Sequence, residues 1–153
     1  MVDSNGFIHT SCVSKWYTRD GSRVPHLLNE IKGKIGSLTG DKGYDQRSVY
    51  RTVQKRNKDA AMVIHPRVNG VLSKSKECTQ RDRHVQKIID DGIYIWRRES
   101  GYYRQNKVEN TFFRYKTTIG TKLRARTEES REVQATIGCK ILNRFLDLGT
   151  AIS

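Results

Sequence analysis

The sequence predicts an α/β fold in which crossover helices link the strands of a sheet. In the first half of the chain, short apolar runs alternate with segments of helical periodicity. An acid flanked by glycines, Asp41, stands where one of those runs ends, which is where open α/β sheets place their sites. In the second half apolar residues recur every three or four positions, the period of helices packed on one face.

Residues 6–13 are expected to form a strand, followed by a helix over 24–31 with Leu27, Leu28 and Ile31 on one side behind Pro25. Residues 37–41 form a short segment running into Gly40-Asp41-Lys42-Gly43-Tyr44-Asp45, whose glycines break regular structure. A helix over 46–56 follows, with Val49 and Val53 inward, a basic outer face, and Asp45 as its N-cap. Residues 61–64 are a continuous apolar run closed by His65-Pro66, a buried strand. The order strand, helix, strand, helix, strand makes 1–66 the sheet-bearing part. Residues 67–77 lack periodicity and form a loop, and 78–153 is mainly helical.

In that last part, 81–91 carries Val85, Ile88 and Ile89 and closes at Gly92; 93–96 is apolar and fits either helix or strand. Residues 107–119 place Val108, Phe112, Tyr115 and Ile119 in one apolar stripe, and 128–148 do the same with Val133, Ile137, Ile141, Phe145 and Leu148. The latter helix is expected to lie as a lid on the sheet.

Composition narrows the function. The 153 residues contain 29 Lys and Arg against 16 Asp and Glu, a net charge of +13, which favours polyanionic partners. Ile, Leu, Val and Phe make up about 23% of the chain, just above the roughly 20% below which highly charged chains tend to disorder. The core is therefore expected to be thin. No apolar run approaches the roughly 20 residues of a membrane span, and residues 1–16 lack a signal peptide's pattern, so a cytoplasmic protein is expected. Cys12, Cys78 and Cys139 suggest reduced thiols. Pairing His9 with Cys12, or Cys78 with His84, fits no common zinc spacing.

Three features carry candidate chemistry. Asp41 sits at a strand end between Gly40 and Gly43, although Asp and Gly are also ordinary turn residues. On the helix over 107–119, residues seven apart differ by about 20° around the axis and about 10.5 Å along it, so Glu109 and Lys116 share a stripe with Phe113. There Glu109 can hold a metal while Lys116 meets a neighbouring phosphate, or it can simply complement the helix dipole. Around this helix, residues 97–126 carry nine bases against the acids Glu99 and Glu109, interleaved with Tyr102, Tyr103 and Tyr115. Such a strip is a phosphate-backbone footprint, and Tyr102, Arg104, Lys107, Arg114, Lys116, Lys122, Arg124 and Arg126 are its candidate contacts.

Together, Gly40-Asp41-Lys42-Gly43-Tyr44-Asp45, Glu109 within 102–116, and Leu123-Arg124-Ala125-Arg126-Thr127 resemble bacterial insertion-sequence transposases of the insertion-sequence-five group. Arg81-Asp82-Arg83-His84 and Ile141-Leu142-Asn143-Arg144-Phe145 fit the same pattern, so the resemblance spans nearly the whole chain. It implies a ribonuclease-H-like, retroviral-integrase-like fold with an Asp-Asp-Glu triad that binds Mg²⁺ or Mn²⁺. Asp41 matches the second catalytic Asp of that triad and Glu109 its closing Glu, with Tyr102 and Lys116 at signature positions. The signature Arg is replaced by Gln105, with Arg104 one position early, and an amide lacks the guanidinium's charge and fork.

By the same resemblance the first catalytic Asp lies upstream of residue 1, and Asp3 does not take its place. The expectation is thus an N-terminally truncated catalytic domain that cleaves and joins DNA only as part of something larger. Its implied partners are DNA (terminal repeats and target), an upstream-encoded transposase fragment and a second copy on DNA. The rivals are a non-catalytic basic DNA-binding module, which would not need Asp41 or Glu109, and a basic RNA-associated protein, which rests on charge alone.

Overall fold

A computed structural model describes residues 1–15, 17–67, 71–73 and 79–149. The chain forms two compact units, one made of Met1–Thr18 with Asn106–Ser153 and the other of Arg19–Gln105.

The Arg19–Gln105 unit contains a two-stranded parallel sheet among the described residues, β1 (Ser37–Gly40) and β2 (Ala61–Ile64), in register from Ser37 opposite Ala61 to Gly40 opposite Ile64. Parallel neighbours require a crossover, and α2 (Arg47–Arg56) supplies it. Val49, Tyr50 and Val53 of α2 are fully buried, as are Met62 and Ile64 of β2. α1 (Val24–Glu30), opened by Pro25, adds Val24, Leu27 and Leu28 to this core. Arg56 reaches from the end of α2 to the carbonyls of Leu28, Ile31 and Gly33, answering the oxygens left open where α1 stops. α3 (Thr79–Asp91) and α4 (Ile93–Glu99) complete the unit, burying Val85 and Trp96. The ambiguous segment 93–96 is thus helical.

In the other unit, α5 (Gln105–Thr118, whose first residue precedes the unit's Asn106) and α6 (Glu128–Asp147) are the regular elements. α6 is capped by Thr127, whose hydroxyl accepts from the Ser130 amide at 3.2 Å. The helices approach closely where α6 has Gly138: a Cβ there would lie 2.7 Å from the Tyr115 ring.

Two expectations need correction. Residues 6–13 form no strand; the segment makes one isolated antiparallel bridge, Val2 with Ile8. Its backbone groups are shared between residues 1–3, as where the His9 amide donates to the Met1 carbonyl at 3.0 Å, and side chains of α6. Asn143 accepts from the Ile8 amide and donates to the Ile8 carbonyl, both at 2.8 Å, and Glu132 accepts from the Val13 amide at 2.9 Å. The apolar stripes of α5 and α6 are also largely solvent-facing. Phe112 is 60% exposed and Val133 58%, and the buried positions of these two helices are Thr111, Gly138 and Leu142. The thin core is therefore uneven, since of the buried apolar side chains among the described residues only Leu142 belongs to this unit.

Of the expected loop 67–77, Arg67 and residues 71–73 are described, in neither helix nor strand; the rest lies outside the described residues, as does Cys78. No helix among the described residues is long and apolar enough to cross a membrane.

Candidate active site

Asp41 directly follows the buried Gly40 that ends β1. Its backbone is extended, and its Oδ1 accepts from the Gly43 amide at 2.7 Å, capping the 3-10 turn Lys42–Tyr44. Gly43 lets the carboxylate approach: a Cβ there would sit 2.9 Å from Asp41 Oδ1 and shift it. Gln46 Nε2 closes the turn from the other side by donating to the Gly43 carbonyl at 2.8 Å. The carboxylate is thus exposed but conformationally fixed at the carboxyl end of a parallel strand.

Asp45 does not cap α2, correcting the sequence expectation. Gln46 occupies the N-cap position, and the Asp45 side chain turns inward, where Arg81 of α3 and the Arg67 amide compete successfully for its oxygens. Nothing in the spacing of Asp45 and Arg81 signals this pair, which joins segments far apart in sequence.

A ring cluster packs behind the strand ends. His65, next after β2, meets Trp96 at 5.5 Å and Tyr102 at 5.6 Å, and Trp96 meets Tyr102 at 5.1 Å between centroids. Tyr102, a candidate DNA contact, is half-buried in this cluster with the Arg97 guanidinium 5.9 Å over its ring. His84 uses both nitrogens: Nδ1 accepts from Trp96 Nε1 at 2.9 Å, and Nε2 lies 2.8 Å from the Met62 carbonyl. Burial lowers the pKa of this imidazole, against the opposing pull of the Met62 carbonyl. Both bonds explain His84 without a metal.

Glu109 is exposed on α5 and shares its stripe with the exposed Phe113 and Lys116. The Lys116 ammonium lies over the Phe112 ring at 4.6 Å. Arg104 and Lys107 are exposed, and Arg114 is half-buried. In the following segment Gln134 Oε1 accepts from the amides of Arg124 and Ala125 at 2.9 and 3.0 Å, pinning the backbone to α6 while Lys122, Arg124 and Arg126 stay exposed. Asp3 is occupied locally: burial pushes its pKa up, but the Phe7 and Asn5 amides and His9 outweigh burial and lower it overall.

Asp41 and Glu109 lie in different units, and each acid's surroundings are described within its own. As exposed carboxylates, both offer the hard oxygen donors that divalent Mg²⁺ or Mn²⁺ prefers. Among the described residues no group of three or more His, Cys, Asp or Glu is arranged to hold an ion.

A glycine-bounded acid at a parallel strand end, a crossover helix and a second acid on a later helix define an α/β domain with candidate carboxylate chemistry. A family model described as Transposase DDE domain matches residues 1–144, and the chain belongs to that family. The family implies a ribonuclease-H-like fold, with which the small parallel sheet is consistent, and DNA as substrate. No curated protein and no solved structure matches.

Proposed function

We propose that this chain belongs to a transposase of the insertion-sequence-five group and serves metal-dependent DNA cleavage and strand transfer. The observation that carries the reading is Asp41, held by its own turn at the end of β1 in a chain of the DDE family.

Asp41 and Glu109 act as metal-ligating carboxylates. When bound, Mg²⁺ or Mn²⁺ supplies Lewis acidity toward the phosphodiester and toward the attacking water or 3′-hydroxyl. The chain's own residues orient the substrate. Asp41 presents a carboxylate with little freedom to swing, which lowers the cost of ordering the site. Lys116, on the Glu109 stripe, offers a cation to a neighbouring phosphate, and Arg104, Lys107, Arg114, Lys122, Arg124 and Arg126 hold the backbone. Tyr102 contributes by packing, keeping the strand ends and the 3-10 turn Tyr102–Arg104 together.

In this reading a second copy assembles on the element's ends. The test is a strand-transfer assay on the terminal repeats with and without Mg²⁺ or Mn²⁺. Products that require the metal support the reading, and salt-sensitive DNA binding with no products favours the non-catalytic binding module.

A further inference from the structure

One side of α6 is turned to solvent and has no part in the candidate site. The buried positions of this 20-residue helix are Gly138 and Leu142. Val133, Ile137 and Ile141, four apart, advance only about 40° around the axis per step, so they form one ridge, and that ridge points away from Leu142. They are 58%, 53% and 40% exposed, and Leu148 beyond the ridge is exposed as well. A single exposed apolar residue is ordinary, but a continuous row of them marks an interaction surface.

Charge along the same face indicates what covers the ridge. Glu129 heads it, one turn before Val133, while Lys140 and Arg144 flank it after Ile137, and all three are exposed. The face is thus acidic at one end and basic at the other. Measured from Ile137, Glu129 lies about 12 Å toward the N-terminus and Arg144 about 10 Å toward the C-terminus. A second α6 running the opposite way and crossing at Ile137 therefore sets Val133 against Ile141 of the second copy, Ile137 against Ile137, and each Glu129 near the other copy's Arg144. A parallel crossing would put acid on acid and base on base. Ridges of residues four apart interdigitate at a crossing of about −50°, the commonest class of helix packing. One patch that serves both copies is the contact of a two-fold dimer.

We infer that the exposed ridge of α6 is a self-association surface, on which two copies of this chain pair through antiparallel α6 helices crossing at Ile137. The inference rests on the transposase reading for the role of the second copy, but the contact itself requires no DNA. A ridge this short makes a weak, reversible dimer. The net charge of +13 opposes pairing until salt screens the repulsion.

The experiment is sedimentation equilibrium of the chain without DNA, from about 5 to about 200 μM in about 0.15 M salt. It compares the wild type, Ile137→Asp, Glu129→Arg, Arg144→Glu, and an equal mixture of the last two. The wild type is expected to dimerise over that range. Ile137→Asp brings two carboxylates together at the crossing and is expected to weaken pairing by at least about 100-fold. Each charge reversal turns two exposed ion pairs repulsive and is expected to weaken it about tenfold. The mixture is expected to recover the lost affinity, because both ion pairs are rebuilt between unlike chains. A wild type that stays monomeric assigns the ridge to another occupant and overturns the inference. So does an Ile137→Asp chain that pairs like the wild type, or a mixture no tighter than its components. Each of these leaves the transposase reading to its own strand-transfer test. Should Ile137→Asp fail to fold, the charge-reversed chains and their mixture decide.

Discussion

Arg81 holds Asp45 through two side-by-side hydrogen bonds, Nε to Oδ1 at 2.8 Å and Nη2 to Oδ2 at 3.3 Å. The Asp45 side chain is 1% exposed and also accepts from the Arg67 amide at 3.0 Å. Burial alone would lower the Arg81 pKa, but Asp45 outweighs it and raises the pKa above the ordinary arginine value. Asp45 closes the turn that begins at Asp41, so the pair fixes the far end of the candidate catalytic loop to α3.

Removing one partner of this pair is expected to cost more than removing both. Arg81→Met leaves a buried carboxylate with one amide donor and should destabilise the chain by about 3–5 kcal/mol. Asp45→Asn should cost less, because the Arg81 side chain, 15% exposed, can turn toward water. Urea unfolding of both single variants and the double variant checks this. A double variant as unstable as the sum of the two singles would mean that the pair is uncoupled.

His84 makes stability depend on pH. Its folded pKa is depressed by burial, so the unfolded state binds the proton more readily once pH falls below its ordinary value of 6.5. The stabilisation is fully present above that value and is lost as pH falls from 6.5 toward the folded pKa, at no more than about 1.4 kcal/mol per pH unit. Protonating Nδ1 would also set two donors, His84 and Trp96, against each other. Thermal midpoints between pH 7.5 and 5 should therefore fall more steeply for the wild type than for His84→Gln, and parallel profiles would remove His84 as the source.

Asn143 stands in for a neighbouring strand at Ile8. Truncating it to Ala leaves the Ile8 amide and carbonyl to find other partners, at an expected cost of about 1–3 kcal/mol. Hydrogen exchange is the direct readout. The Ile8 amide should exchange markedly faster in Asn143→Ala, while the Met62 amide, held by Gln80 Oε1 at 2.9 Å, should not change.

The parts most legible in the sequence were those whose signal is local. The apolar run closed by His65-Pro66 is β2 over its full length, and the helix expected at 46–56 is observed at Arg47–Arg56. The turn at Asp41 was visible because its glycines make their close contacts, with Tyr44 and Asp41, within four residues. What failed was decided by partners distant in the chain. Residues 6–13 have strand composition, but Ile8 and Val13 meet Asn143 and Glu132 and the rest of the segment folds back on residues 1–3, so no strand forms. Asp45 looks like a cap until Arg81 arrives from α3. The stripe through Val108 and Phe112 has core periodicity, yet period records which residues share a face and not whether anything covers it.

The central claim, that Asp41 and Glu109 are the acids of a DDE site, is tested most directly by strand transfer on the terminal repeats with Asp41→Asn and Glu109→Gln chains beside the wild type, each with Mg²⁺ or Mn²⁺. Loss of a ligand that supports several kcal/mol of transition-state charge stabilisation predicts that each substitution lowers the rate by at least about 100-fold, with DNA binding retained. Strand transfer at the wild-type rate by either variant would contradict the claim.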